Sequence, residues 1–182
     1  MHGILRLSTV LTLVSLALVS CNQVKAEPTK DANSNLLKVG SSVPLLDGID
    51  QHGVNQSTAS NGSQPLVVYF YPKDGTPGCT KEACAFRDVW SRFEQKGVRL
   101  LGVSRDDLMS HAKFAEEQRI PFALIADRDG SWAKAFGVPS NNGKSARVSF
   151  LFDQAGHLAH VYPNVDPGVH ANEVLKDVEA LK

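Results

Sequence analysis

Apolar positions along the chain fall into runs that alternate between the two-residue period of a strand and the 3.6-residue period of a helix. Leu66-Val67-Val68-Tyr69-Phe70-Tyr71 is an unbroken apolar run of β-branched and aromatic residues, which predicts a central strand buried on both faces. From Thr80 to about Gln95, Ala83, Phe86, Val89, Trp90 and Phe93 recur at helical spacing, and Gly97 stands where a helix C-cap belongs. A strand over Val98 to Val103, a helix around Leu108 to Gln118, a strand from Phe122 to Ala126 and a short helix from Ser131 to Phe136 follow. Val148 to Phe152 and Leu158 to Tyr162 read as strands paired across the Asp153–Gly156 turn. A last helix carries Val174, Leu175, Val178 and Leu181 on one stripe. Nearer the N-terminus, Val43 to Leu46 and the segment around Val54 flank Asp47-Gly48 and His52-Gly53, a pattern for a short hairpin. Alternating βα units that end in a hairpin and a helix predict an α/β fold, a central mixed sheet flanked by helices.

The first 20 residues stand apart from that pattern. Arg6 precedes an apolar run from Leu7 to Val19, broken only by Ser and Thr, of signal-peptide rather than bilayer-spanning length. It ends in Leu18-Val19-Ser20-Cys21, which resembles a bacterial lipobox: an aliphatic residue at −3, a small residue at −1, then the cysteine. The resemblance implies cleavage before Cys21, lipidation of Cys21, and an exported protein held to a membrane by that lipid. Residues 21–37 lack any apolar period and read as a polar tether, leaving 38–182 as one domain.

Composition narrows the function classes. The 182 residues carry 19 basic and 19 acidic side chains. Removing the leader takes away only Arg6, so 18 basic residues face 19 acidic ones. A balance near zero supplies no field for nucleic acid and suits a small, uncharged substrate. With Cys21 assigned to lipid, two of the three cysteines remain for chemistry.

Both lie just after the first buried strand, in Tyr71-Pro72-Lys73-Asp74-Gly75-Thr76-Pro77-Gly78-Cys79-Thr80-Lys81-Glu82-Ala83-Cys84. Two prolines and two glycines within residues 72–78 force an irregular loop at the strand's carboxyl end, where sites form in open α/β sheets. Cys79 then falls in the first turn of the following helix, where free N–H groups and the positive dipole end favour a thiolate. A reactive Cys79 follows from position alone.

Pro72-x-x-x-Thr76-x-x-Cys79 resembles the active-site signature of the peroxiredoxins. The longer run from Tyr69 to Thr80, then Glu82-Ala83-Cys84 and Phe86-Arg87-Asp88, is similar to the peroxiredoxin Q/bacterioferritin-comigratory-protein subfamily. Asp127-Arg128-Asp129-Gly130, Phe136-Gly137-Val138 and Arg147 to Asp153 keep the subfamily's pattern and order. Two departures stand out: Gly75 replaces what is often a larger residue, and export is unusual for the subfamily. The resemblance implies a thioredoxin-like fold and a thiol peroxidase, often monomeric, that needs no metal or organic cofactor. Its substrates would be hydrogen peroxide and organic hydroperoxides. Cys79 would be the nucleophile, Thr76 a hydroxyl that hydrogen-bonds the peroxide and the thiolate, Pro72 a shield that shapes the pocket, and Arg147 the cation that holds the thiolate charged and donates to the peroxide oxygens. Glu82 and Arg87 match the subfamily too, while their spacing alone reads as an exposed helix pair.

The resemblance also implies that Cys84 resolves the Cys79 sulfenic acid to an intramolecular Cys79–Cys84 disulfide, reduced in turn by thioredoxin or another dithiol. Five residues on an intact helix separate two Cα atoms by about 8.6 Å, and a disulfide tolerates at most about 7 Å. The helix must therefore open during such a cycle. The non-enzymatic alternative is an exported copper metallochaperone of Sco type, with His170 as a distant ligand. There the spacing of the two cysteines is one residue too long, and the Thr76–Arg147 set has no role. The absence of Cys-x-x-Cys argues against a thiol–disulfide oxidoreductase.

Overall fold

The computed structural model describes residues 35–59 and 64–181. The expected leader, Cys21 and the tether up to residue 34 lie outside the described residues. Leu36 is buried in the domain, and the Leu37 N–H donates to the Phe136 carbonyl at 3.1 Å.

After a two-stranded hairpin, β1 (Asp47–Ile49) with β2 (Asn55–Ser57), comes the central strand β3 (Leu66–Phe70), buried at all five positions. Then follow α1 (Pro77–Asp88), α2 (Trp90–Gln95), β4 (Arg99–Ser104), α3 (Leu108–Gln118), β5 (Ala123–Ala126) and α4 (Ser131–Ala135). The chain closes with β6 (Ser140–Asn141), β7 (Lys144–Ser145), β8 (Val148–Phe152), β9 (Leu158–Tyr162) and α5 (His170–Ala180). The main sheet runs in the order β5-β4-β3-β8-β9, with β3 parallel to β4 and antiparallel to β8. This is the expected mixed sheet between helical layers.

Side-chain alternation along β3 divides the core in two. Val67 and Tyr69 face α1, α2, α3 and α5 and pack with Phe86, Phe93, Phe114 and Val174. Val68 and Phe70 face α4 and pack with Trp132, Phe136, Phe150 and Leu36. At about 25 cal/mol per Å² of apolar surface removed from water, these two clusters dominate the stability.

Three elements differ from the sequence expectation. The hairpin strands lie later than the apolar pattern suggests, because Asp50 Oδ1 accepts from the His52 and Val54 N–H groups and fixes the turn at 50–53. The helix expected from Thr80 to Gln95 begins earlier, at Pro77, and is interrupted at Val89, with φ −110° and ψ 10°. Val89 is β-branched and a poor helix former; beyond it, Trp90 packs 5.7 Å from Phe122 and Phe93 lies 5.9 Å from Phe86. The small β6–β7 hairpin is polar and escaped the hydrophobic pattern altogether. Its turn, Asn142-Gly143, has positive φ at both residues, 50° and 71°, as tight hairpin turns require.

Candidate active site

The peptide after β3 is built to stop a strand and start a helix. Tyr71 N–H still bonds the Val103 carbonyl at 3.1 Å, but Pro72 has no N–H to continue the ladder. Gly75 takes the left-handed conformation at φ 69°, Thr76 takes the N-cap position, and Pro77 opens α1 with its fixed φ. Cys79 is therefore the third residue of α1, among the helix's first unpaired N–H groups. Its side chain is buried, at 1% exposure.

Arg147 reaches it from just before β8, the strand paired with β3. The β6–β7 hairpin returns the chain to the start of β8, and the Arg147 Nη2 donates to Cys79 Sγ at 3.2 Å. Gly78 makes room for this approach: a Cβ there would lie 3.3 Å from Nη2. The other guanidinium nitrogen, Nη1, donates to Glu82 Oε2, one turn further along α1. Glu82 is fully buried, and its Oε1 has no hydrogen-bond partner among the described residues. Burial pushes the Glu82 carboxyl up to about 7, against the opposing pull of Arg147. Burial likewise works against the Arg147 charge, but Glu82 and Cys79 outweigh it and raise its pKa.

The next layer is neutral. His170, at the start of α5, shares a 2.8 Å hydrogen bond with Ser149 Oγ on β8. Burial, with the Arg147 charge adding to it, lowers the His170 pKa to about 4, so the ring carries no charge at neutral pH.

The expected residues do not all converge. Thr76 is half-buried; its hydroxyl donates to the Lys73 carbonyl at 3.1 Å and does not cap α1. Pro72 is half-buried on the wall of a cavity of about 170 Å³, with Lys73, Arg105, Asp106 and Lys144. Cys84 is half-buried on α1, and its Sγ lies 3.6 Å from Gln118 Oε1 at the end of α3. Both thiols are free. The exposed Glu82–Arg87 pair that the spacing suggested does not exist. Glu82 turns inward to Arg147, whereas Arg87 donates to Asp88 Oδ1 at 2.7 Å and to the Gln118 carbonyl at 2.6 Å.

Sequence reasoning missed a second buried cluster beneath the loop. The Asp74 carboxylate accepts from Tyr71 Oη at 2.7 Å, Ser110 Oγ at 2.8 Å and His111 Nδ1 at 2.8 Å. Nothing in the local sequence signals this, because two of the three donors come from α3.

A model of the AhpC/TSA family matches residues 39–161. The chain belongs to the AhpC/TSA family, the peroxiredoxins. It is 39% identical over 145 residues to a chloroplastic peroxiredoxin Q of Suaeda salsa, covering 78% of this chain and 68% of that protein. A protein of Coxiella burnetii described as a putative peroxiredoxin bcp is 36% identical over 146 residues, covering 76% of this chain and 97% of the relative. Among solved structures, peroxidoxin BcpB of Mycobacterium tuberculosis superposes with a TM-score of 0.74 at 32% identity, covering 80% and 99% of the two chains. This peroxiredoxin is accordingly a thiol-dependent peroxidase, an oxidoreductase, on a thioredoxin-like fold. The copper-chaperone alternative loses its support: His170, its distant ligand, is engaged with Ser149 and packed against Phe86.

Proposed function

We propose that Cys79 is the peroxidatic nucleophile of this peroxiredoxin, acting on hydrogen peroxide and organic hydroperoxides. The observation that carries the reading is the Arg147 guanidinium 3.2 Å from Cys79 Sγ, within a charged pair closed off by the buried Glu82. The Cys79 thiolate attacks the distal oxygen of ROOH; the O–O bond breaks, the sulfur gains OH, and the departing alkoxide takes up a proton as ROH. Arg147 stabilises both the thiolate and the negative charge passing onto the peroxide oxygens. The Thr76 hydroxyl, spending its own proton on Lys73, keeps acceptor capacity toward the peroxide hydrogen. Pro72 shields the sulfur from bulk water.

Cys84 then attacks the Cys79 sulfenic acid, forming the Cys79–Cys84 disulfide and releasing water. An external dithiol, thioredoxin or a donor of the same chemistry, reduces that disulfide by exchange. Both cysteines lie on the unbroken α1, so the first turn of that helix opens for the second step. As written, the cycle needs no metal ion or organic cofactor. Peroxide consumption coupled to a thioredoxin system tests it, comparing wild type with Cys79→Ser and Cys84→Ser. Full activity in Cys79→Ser overturns the assignment. A Cys79 that stays at the sulfenic acid beside a free Cys84, seen by intact mass after one equivalent of peroxide, overturns the intramolecular cycle.

The same reading places the enzyme outside the cytoplasm as a monomer tethered through a lipid on Cys21, supported by the apolar leader and Leu18-Val19-Ser20-Cys21. Radiolabelled palmitate incorporated by wild type and not by Cys21→Ser is the expected result; equal labelling counts against it.

A further inference from the structure

Opening α1 must take slack from somewhere. Downstream of Cys79, the helix is held by Phe86 in the core and by Arg87 on the Gln118 carbonyl. Upstream, free chain ends at Asp74. Its carboxylate receives three donors, from Tyr71 at the end of β3 and from Ser110 and His111 in the first turn of α3. Its backbone N–H donates to Asp106 Oδ2 at 2.9 Å, and Asp106 Oδ2 in turn accepts from Ser104 Oγ at 2.8 Å. The side chains of Asp74 and His111 are 5% and 0% exposed, and the far nitrogen of His111 faces the Ile125 carbonyl at 3.2 Å. Directly after this anchor stands Gly75 in the left-handed conformation, with nothing near its α-carbon's open side. One helix, α3, thus grips the redox segment at both ends: near Asp74 through its first turn, near Cys84 and Arg87 through Gln118.

We propose that the Asp74 anchor, with Tyr71, Ser110 and His111 as its donors, is a brake on disulfide formation that sets how long the Cys79 sulfenic acid survives. Residues 75–78 are the only upstream slack between the anchor and Cys79. Each donor into Asp74 raises the free energy of the opened state that brings Cys79 to Cys84. A longer-lived sulfenic acid is more exposed to a second peroxide, so the anchor also governs overoxidation to sulfinic acid. These residues are positioning residues; none touches Cys79.

The inference rests on the Cys79–Cys84 cycle proposed above, and the test separates the two. Tyr71→Phe and Ser110→Ala each remove one donor without changing shape much, and Asp74→Asn removes the charge. A hydrogen bond to a charged group contributes enough that Asp74→Asn is expected to speed disulfide formation about ten-fold, with the single-donor variants in between. The first oxidation by hydrogen peroxide should stay within about two-fold, since the closed state still predominates. Rapid-quench intact-mass measurement after a single peroxide pulse reads all three quantities: sulfenic acid, disulfide and sulfinic acid. Faster disulfide and less sulfinic acid in the order Asp74→Asn, then the single-donor variants, is the expected result. A merely structural role would not accelerate a chemical step. Unchanged or slower disulfide formation in Tyr71→Phe and Ser110→Ala, with wild type forming the disulfide normally, overturns the brake. No Cys79–Cys84 disulfide in wild type itself sinks the underlying cycle.

Discussion

Cys79 and Cys84 lie five residues apart on one helix, yet their surroundings share almost nothing. Cys79 is sealed in the first turn, against a guanidinium whose partner is a buried carboxylate. Cys84 is half-buried in the middle of the helix, against the neutral side chain of Gln118. A helix separates side chains at i and i+5 by well over a right angle, so Cys79 meets Arg147 and Cys84 meets Gln118 of α3. One position concentrates electrostatic stabilisation of charge; the other offers access. Reactivity toward peroxide and reactivity toward a partner thiol are thereby assigned to different faces of α1.

The contrast can be attacked from its strongest point downward. Cys79→Ser should abolish peroxide turnover, a loss of about 10³-fold or more because the nucleophile itself is gone; coupled peroxide consumption measures it. Arg147→Gln should cost about 10²-fold in the rate of Cys79 oxidation, the scale seen when a charge-stabilising donor is removed. Stopped-flow kinetics with hydrogen peroxide reads that loss, and a change under five-fold would mean that Arg147 is not the source of Cys79's reactivity. Glu82→Gln should lower the same rate about ten-fold, since Arg147 loses its charged anchor.

The acid–base surroundings of Cys79 also predict two opposite pH effects on stability. Glu82 titrates near 7 when folded against 4.5 as a free side chain, so the native state keeps a proton that the unfolded chain has lost between those values. That contribution is present below 4.5 and is lost as pH rises to 7. His170 goes the other way, from 6.5 down to about 4: the unfolded chain takes the proton first, and stability is lost as pH falls through that window. Relative to wild type, Glu82→Gln should therefore gain stability as pH rises from 4.5 to 7, and His170→Asn should lose it from 4 to 6.5. Each slope approaches about 1.4 kcal/mol per pH unit at most. Urea denaturation across pH 4 to 7 checks the signs. The smallest effect belongs to the other cysteine: Cys84→Ser should leave the first oxidation of Cys79 within about two-fold, because no charged group of the Cys79 site depends on it.

How much of this was legible beforehand follows from the range of the interactions. β3 was readable because five consecutive buried positions need five consecutive apolar residues. The loop and the start of α1 were readable because Pro72, Gly75, Pro77 and Gly78 act locally on the backbone. Arg147 became a candidate through family resemblance alone; the Asn142-Gly143 turn that delivers it was a hairpin signal in plain view. Glu82 looked like a solvated helix residue, since only the fold supplies the cation that lets it be buried. Asp74 and His111 are 37 residues apart and meet through tertiary packing, so no pattern within either segment could join them.

The unequal burial of the two thiols also makes the enzyme its own reporter. A bulky maleimide meets Cys84 on the folded surface, but finds Cys79 at 1% exposure only while α1 is open. The ratio of the two alkylation rates in the reduced protein then counts openings of that helix directly, without added dye or spin label.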